Sequence, residues 1–239
     1  MGMDAPFVQA AGQAGKNRIE DGITLYSLTA NPTIESISCA GTITVNSTHN
    51  GSPLTETYTD LDGETLAIKA DKNTKITIIG NIVGACEIGS NTDYSRIYVK
   101  NTALTSLSCN SCSALQELNL SANTALTSLS CNSCYALQEL NLSANTALTS
   151  LSCNSCSALQ ELNLSANTAL TSLSCNSCSA LISVYYGATN QNVTERIASA
   201  ITNAESTAGS VYTDSAATYY STIADAATAK GWTIAQIPK

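Results

Sequence analysis

From Leu104 to Leu181 a leucine stands at every eleventh position: Leu104, Leu115, Leu126, Leu137, Leu148, Leu159, Leu170 and Leu181. Each opens a short run in which apolar and polar residues alternate, Leu107-Ser108-Cys109 in one half-unit and Leu118-Asn119-Leu120 in the next. Alternation with period two marks a strand with one buried face. Two half-units make a 22-residue unit. Residues 101–122 read NTALTSLSCNSCSALQELNLSA and return from Asn123 and from Asn145, with Tyr135 where the other copies have Ser113 and Ser157. A fourth copy starts at Asn167 and decays after Leu181. A unit this short buries its apolar side only by stacking on its neighbours, so the period predicts a solenoid. No unit contains Pro or Gly, and eleven residues shared between strand and turn leave no room for a helix. The expected fold is mainly β, with two short parallel sheets and coils stepping by about 4.8 Å.

Such a stack has open ends, and both flanks read as caps. Residues 22–100 are β-rich, with strand patterns at Ile23–Leu25, Ile34–Ile37, Thr42–Val45, Leu66–Ile68, Ile76–Ile79 and Ile97–Val99. Asp62-Gly63 and Asp71–Asn73 read as turns between them. Val99-Lys100-Asn101 runs directly into the first repeat, so the last of these strands is expected to pair with it. Residues 1–21 lack apolar periodicity and read as an extended N-terminal arm. The repeat block spans 101–191. In the C-terminal segment, 192–239, Asn192 and Glu195 resemble a capping box, and Val193, Ile197, Ala200, Ile201 and Ala204 share one helix face. Gly209–Thr213 reads as a strand, a second helix runs from Asp214 or Ser215 to about Lys230, and Trp232–Ile237 is a last strand: an α/β cap.

The half-units follow LxxLx(L/C)xx(N/C)xx, as in Leu115–Leu118–Leu120–Asn123 and Leu104–Leu107–Cys109–Cys112. The pattern resembles the leucine-rich repeat family. More narrowly it is similar to the bacterial class with a nested 11+11 residue period (IRREKO type), where LxxLxC and LxxLxL half-units alternate. The resemblance covers about residues 97–191. It implies a right-handed solenoid of 22-residue coils, and a bacterial or phage setting.

Eight of the ten cysteines belong to the repeats, as the CxxC pairs Cys109/Cys112, Cys131/Cys134, Cys153/Cys156 and Cys175/Cys178. CxxC often means zinc or redox chemistry. Here the first cysteine takes a core leucine position and the second the turn position of the repeat. An inert buried ladder is therefore the favoured reading, with metal and disulfide as alternatives and no metal or cofactor expected. Asn123, Asn145 and Asn167 are expected to form a second ladder, their amides serving buried turn backbone. Glu117, Glu139 and Glu161 should line one sheet's outer face, and Ser106, Ser128 and Ser150, each followed two residues on by another serine, the other sheet's. With Tyr135 these are the candidate binding surface.

The charge balance narrows the partners. Charged residues make up 12% of the chain and the net charge is −8, with none of the ten Lys and Arg in the repeats, which argues against nucleic acid. No run of 18 apolar residues suggests a membrane span, and the first residues lack the basic and apolar regions of a signal peptide. Catalysis has little support. The single histidine, His49, sits in the turn-like Ser-Thr-His-Asn-Gly, and no GxSxG, HExxH or GxxxxGK[ST] occurs. The chain therefore reads as a non-enzymatic structural or recognition protein, a phage virion fibre or head-decoration component, with a bacterial cell-surface or secreted adhesin as the alternative. Its partners would be a protein or glycan on a bacterial surface and, through the arm, other virion or surface subunits; self-association is compatible with these properties.

Overall fold

The computed structural model describes residues 22–27, 32–39, 42–68, 72–73, 75–80, 82–88, 94–100, 103–186, 191–213 and 220–236. The 1–21 arm lies outside them. The fold is mainly β, with parallel sheets and two helices among the described residues.

Eight strands precede the repeats: β1 (Gly22–Ser27), β2 (Thr33–Cys39), β3 (Thr42–His49), β4 (Ser52–Thr59), β5 (Asp62–Ala67), β6 (Lys75–Ile79), β7 (Ile82–Glu87) and β8 (Tyr94–Lys100). Among themselves they pair antiparallel. Each repeat then supplies two short strands. The LxxLxC half-units form β9 (Leu104–Ser108), β11 (Ser128–Ser130), β13 (Ser150–Ser152) and β15 (Ser172–Ser174). The LxxLxL half-units form β10 (Glu117–Asn119), β12 (Glu139–Asn141) and β14 (Glu161–Asn163). Parallel pairing joins residues 22 apart, Leu107 to Leu129 to Leu151 to Leu173 on one side and Leu118 to Leu140 on the other. The middle leucine of every strand points inward and is buried, as are Leu104, Cys109, Cys112, Leu115 and Leu120 in the first unit. A strand with a single inward residue between two outward polar ones satisfies one buried face and one wet face at once.

The stack continues into its neighbours without a seam at its start. β7 pairs parallel with β9, setting Cys86 beside Leu107, and β8 pairs parallel with β10, setting Ile97 beside Leu118. Two seven-stranded sheets result, in the orders β12-β10-β8-β1-β6-β3-β4 and β15-β13-β11-β9-β7-β2-β5. A third, parallel sheet begins at β14 and runs through β16 (Ser183–Tyr186), β17 (Ser210–Thr213) and β18 (Thr233–Gln236). Helices α1 (Gln191–Asn203) and α2 (Tyr220–Lys230) connect its last three strands. α1 lies against β15, with Val193, Ile197, Ala200 and Ile201 buried, and so closes the end of the second sheet. Trp232 anchors this region: it is buried, and its indole Nε1 donates to the Ser206 carbonyl at 2.9 Å.

Several local expectations are corrected. Asp62-Gly63 is not the turn between strands; the chain turns at Asp60, in the left-handed region at φ 51°, and Asp62 begins β5. Gly63, at φ 77°, sits at a bulge where the β2–β5 register shifts, and its amide donates to Ser38 Oγ at 2.9 Å. His49 ends β3 rather than lying in a loop. The turn is Asn50-Gly51, whose φ values of 52° and 74° are those of a two-residue hairpin. β4 and β7 escape the sequence pattern because their outward residues include Thr, Gly and Ala in place of clear alternation. The descriptions of the second helix and last strand begin and end short of the expected bounds, since residues 214–219 and 237–239 lie outside the described residues.

Between coils, Asn145 Nδ2 donates to the Asn123 carbonyl at 2.8 Å and to the Leu120 carbonyl at 3.2 Å, and Asn167 repeats both contacts on Asn145 and Leu142 at 2.9 and 3.1 Å. These turn carbonyls are shut away from water, so the amide is their substitute for it. Replacing Asn145 by Ala should destabilise the protein by about 1–3 kcal/mol, because two buried carbonyls each lose the second of their two donors and keep only the backbone amides of Asn123 and Leu126. Urea denaturation followed by circular dichroism measures it, with Tyr135→Ser, an exposed change to the residue of the other units, expected to stay within about 0.5 kcal/mol.

Candidate binding surface

The repeat residues single out two faces, one on each sheet. On the β9–β11–β13–β15 face, the rows predicted from sequence are there: Ser106, Ser128, Ser150 and Ser172 are in register, as are Ser108, Ser130, Ser152 and Ser174. The second row is not available to a partner. Ser130 Oγ donates to Asn110 Oδ1 at 2.7 Å, Ser152 to Asn132 at 2.7 Å and Ser174 to Asn154 at 2.9 Å. The same oxygens accept the backbone amides of Asn132, Asn154 and Asn176, each at 2.9 Å. This third ladder was not singled out in the sequence, although Asn110, Asn132, Asn154 and Asn176 recur every 22 residues. Beside it Ser111, Ser133, Ser155 and Ser177 hold the left-handed φ of 58–59°, and the amides of the first three bond the next coil, as Ser133 does to Asn154 at 2.7 Å. Thr127, Thr149 and Thr171 hydroxyls bond the preceding coil's threonine carbonyl at 3.0, 3.0 and 3.2 Å. Apart from the Ser106, Ser128, Ser150 and Ser172 row, this face spends its polar groups on itself.

The opposite face differs. Glu117 and Glu139 are in register on β10 and β12, and Arg96 precedes them on β8. Glu161 does not continue that ladder: β14 opens the third sheet, where Glu161 pairs with Ser183. The expected three-carboxylate column is therefore split between sheets, although Glu139 stays near enough to act on Glu161. Burial first, and then the charge of Glu139, push the Glu161 carboxyl above its usual range. Arg96 Nε lies 3.6 Å from Glu117 Oε2, and Tyr98 donates to the same oxygen at 2.8 Å. Glu117 is thus held in place. Burial, the hydrogen bond to Glu117 and its charge push the Tyr98 hydroxyl up to about 12.

Tyr135 projects from the turn before β12 with 53% of its surface exposed, away from both rows. The cysteines face inward, all ten buried and free of disulfides. Cys134 donates to the Cys109 carbonyl, Cys156 to Cys131 and Cys178 to Cys153, each at 3.2 Å. The hydrogen bond to the neighbouring thiol and complete burial hold Cys109, Cys131 and Cys153 well above the ordinary thiol range. The same contact lowers Cys134 and Cys178, so within those couples the outer thiol is the more acidic. Outside the repeats, burial pushes Cys86 up to about 12. Among the described residues no three His, Cys, Asp or Glu side chains gather as a metal-ligand set, and no helix is long and apolar enough to cross a membrane. No protein-family model matches the sequence, and neither a curated protein nor a solved structure matches it.

Two outcomes are expected. Cys131→Ala should cost on the order of 1–2 kcal/mol as a small cavity, and elemental analysis of purified protein should find no stoichiometric zinc or iron. In alkaline titration followed at the tyrosinate absorbance, one group should ionise near pH 12 and move toward the ordinary value near 10 in Glu117→Gln. The raised Tyr98 value stabilises the fold fully below about pH 10 and is lost as pH rises toward 12, so wild type should lose more stability than the variant across that window.

Proposed function

We propose that the chain is a non-enzymatic recognition protein built as a right-handed leucine-rich-repeat solenoid, mounted on a phage particle as a fibre or head-decoration component. The observation that carries this reading is the in-register stacking of near-identical units. Core leucines, thiols and ladder asparagines are buried in every coil, while the outward positions are free to change and repeat at a constant spacing. A surface of that kind suits many weak contacts rather than one tight pocket, and multiple copies on one particle multiply them through effective concentration.

Both ends of the stack are occupied, by antiparallel strands on one side and by α1 and the third sheet on the other. That supports a self-contained display unit rather than a segment of an open-ended fibre core. The ten buried reduced thiols suit a protein that folds in a reducing cytosol before it is built into a particle, which favours the virion over the secreted adhesin. Attachment is assigned to residues 1–21 on sequence alone, as these lie outside the described residues.

The test combines location and deletion. Immunogold labelling should decorate phage particles and not the envelope of uninfected cells; the reverse labelling would favour the adhesin. Removing residues 1–21 should abolish incorporation into the particle. Removing one unit, residues 123–144, should leave folding and incorporation intact and weaken adsorption to bacterial cells.

A further inference from the structure

Reading across the strands of the carboxylate face, rather than along the chain, brings out three rows. One step along each strand from the buried residue, the first row runs Arg96, Glu117, Glu139 on paired strands and resumes at Glu161 and Ser183 on the third sheet, β14 lying beside β12 without strand pairing. On the other side of the buried residue a second row runs Tyr98, Asn119, Asn141 and, past the same break between sheets, Asn163, Tyr185, Tyr212. A third, flanking the carboxylates, holds the exposed Gln116, Gln138 and Gln160 and ends in Ile182, which is 40% exposed although large and apolar.

The second row is prepared for a ligand in a way the serine face is not. Asn119, Asn141 and Asn163 each turn Oδ1 inward, accepting the amide of Ser121, Ser143 and Ser165 at 3.0, 3.0 and 3.1 Å. That fixes the side chain and leaves the two Nδ2–H donors directed away from the backbone, with no partner among the described residues. Across from them, Glu139 and Glu161 are acceptors with no ion-pair partner among the described residues, whereas Glu117 is taken by Arg96 and Tyr98. Fixed amide donors thus run beside unpaired carboxylate acceptors in two rows.

Aromatic pairs close both ends. Tyr26 meets Tyr98 edge-on with ring centroids 5.7 Å apart, and Tyr185 stacks on Tyr212 at 4.4 Å and 10°. At the β16 end the exposed Ile182 adds apolar surface to the Tyr185–Tyr212 stack's row. From β8 to β16 there are four strand steps, a span of about 19 Å.

We propose that this face binds a neutral, linear polysaccharide laid across the strands, with about four sugar rings between the two tyrosine pairs at one ring per strand step. The inference rests on the recognition reading above and names its ligand class and its surface. A carboxylate accepts two vicinal hydroxyls of one sugar, and an amide N–H2 donates to ring or hydroxyl oxygens. The apolar face of a pyranose covers a tyrosine ring or an isoleucine at little cost. The asparagine side chains are already held, so little of their conformational entropy is lost on binding. Sulfated, phosphorylated or uronic-acid polymers would meet Glu139 and Glu161 unneutralised and are excluded by charge.

Affinity electrophoresis through gels containing a soluble glucan, mannan, galactan or arabinoxylan tests this, with alginate as the anionic probe. At least one neutral polymer should retard the protein and alginate should not. Glu139→Ala and Asn141→Asp should each weaken retardation roughly tenfold; the aspartate keeps the oxygen that accepts from Ser143 and removes the donors. Tyr185→Ala should weaken it as well, while Ser128→Ala with Ser150→Ala on the opposite face should not. Thermal melts of each variant exclude unfolding as the cause. Retardation by none of the neutral polymers, equal retardation by alginate, or no effect of Glu139→Ala and Asn141→Asp would each overturn the proposal. Adsorption to intact bacterial cells separates the two readings. Adsorption that survives both substitutions, or that protease treatment of the cells abolishes and periodate does not, leaves recognition standing and sinks the glycan face. Retardation by a neutral polymer without adsorption to any cell keeps the glycan face and sinks the display role.

Discussion

The backbone hydrogen bond from one coil to the next, 21 or 22 residues on, is the constraint from which the rest of the structure follows. A single unit has two three-residue strands, too short to hold together alone, and its turns leave amides and carbonyls pointing along the stack. Those groups are satisfied only by the next unit: Cys109 N by Ser130 O at 2.8 Å, Cys131 N by Ser152 O at 2.8 Å, Cys153 N by Ser174 O at 2.7 Å. Because a backbone partner must arrive at a fixed spacing, every side chain falls into a row with its own copies. Rows are then forced to be compatible with themselves. Leucine on leucine, asparagine amide on asparagine carbonyl and thiol on the preceding coil's carbonyl all meet that condition inside. Glutamate on glutamate meets it only outside, where water screens the repulsion, and even there it leaves a mark on Glu161.

The two sheets solve this in different ways, which is why they differ as surfaces. On the serine side, short hydroxyl and amide groups reach the neighbouring coil's side chains and backbone, so the polar rows become mortar. On the carboxylate side, asparagine turns back on its own strand through Ser121, Ser143 and Ser165, and Glu139 and Glu161, unlike Glu117, have no side-chain donor among the described residues. One face thus ties most of its polar groups into the stack, and the other leaves its amide N–H groups and two of its three carboxylates untied among the described residues. A difference in two residue types, Glu-Leu-Asn against Ser-Leu-Ser, separates them.

Much of this was legible in the sequence, for a physical reason. Period-two alternation inside a 22-residue repeat leaves few arrangements, so the strand at each Leu-x-Leu or Leu-x-Cys, the buried leucines and thiols and the Asn145 and Asn167 ladder could be read directly. The Asn110 ladder and the left-handed serines were overlooked because Asn-Ser in a polar turn looks like ordinary surface; only the stacking shows which oxygen meets which amide. The carboxylate column was expected to be continuous, and the hand-over from β12 to β14 shows what period alone leaves out. The last L-type strand belongs with the capping sheet, whose tyrosines and valines pair with it in place of another copy. In residues 22–100 no repeat constrains the reading. Bulges at Gly63 and Gly84 there shift the register by one residue, and a one-residue shift reverses inside and outside.

The near-identity of the coils also bears on how the chain finds its fold. Coil two meets coil three through the same contacts it would make with coil four, so a growing chain can close with one unit skipped, or with a unit from another molecule, at almost no local penalty. Only the ends discriminate. Ile97 and Tyr98 fit the first L-type strand, and Val184 and Tyr185 the last, as nothing in the middle does. Register information is therefore concentrated in β8 and β16, some 80 residues apart in sequence, by the count from Lys100 to Ser183. A swapped or slipped species would keep native-like strands and a buried core while misplacing a single cap, and would be slow to correct, since escape requires unzipping every coil between the error and the nearer end.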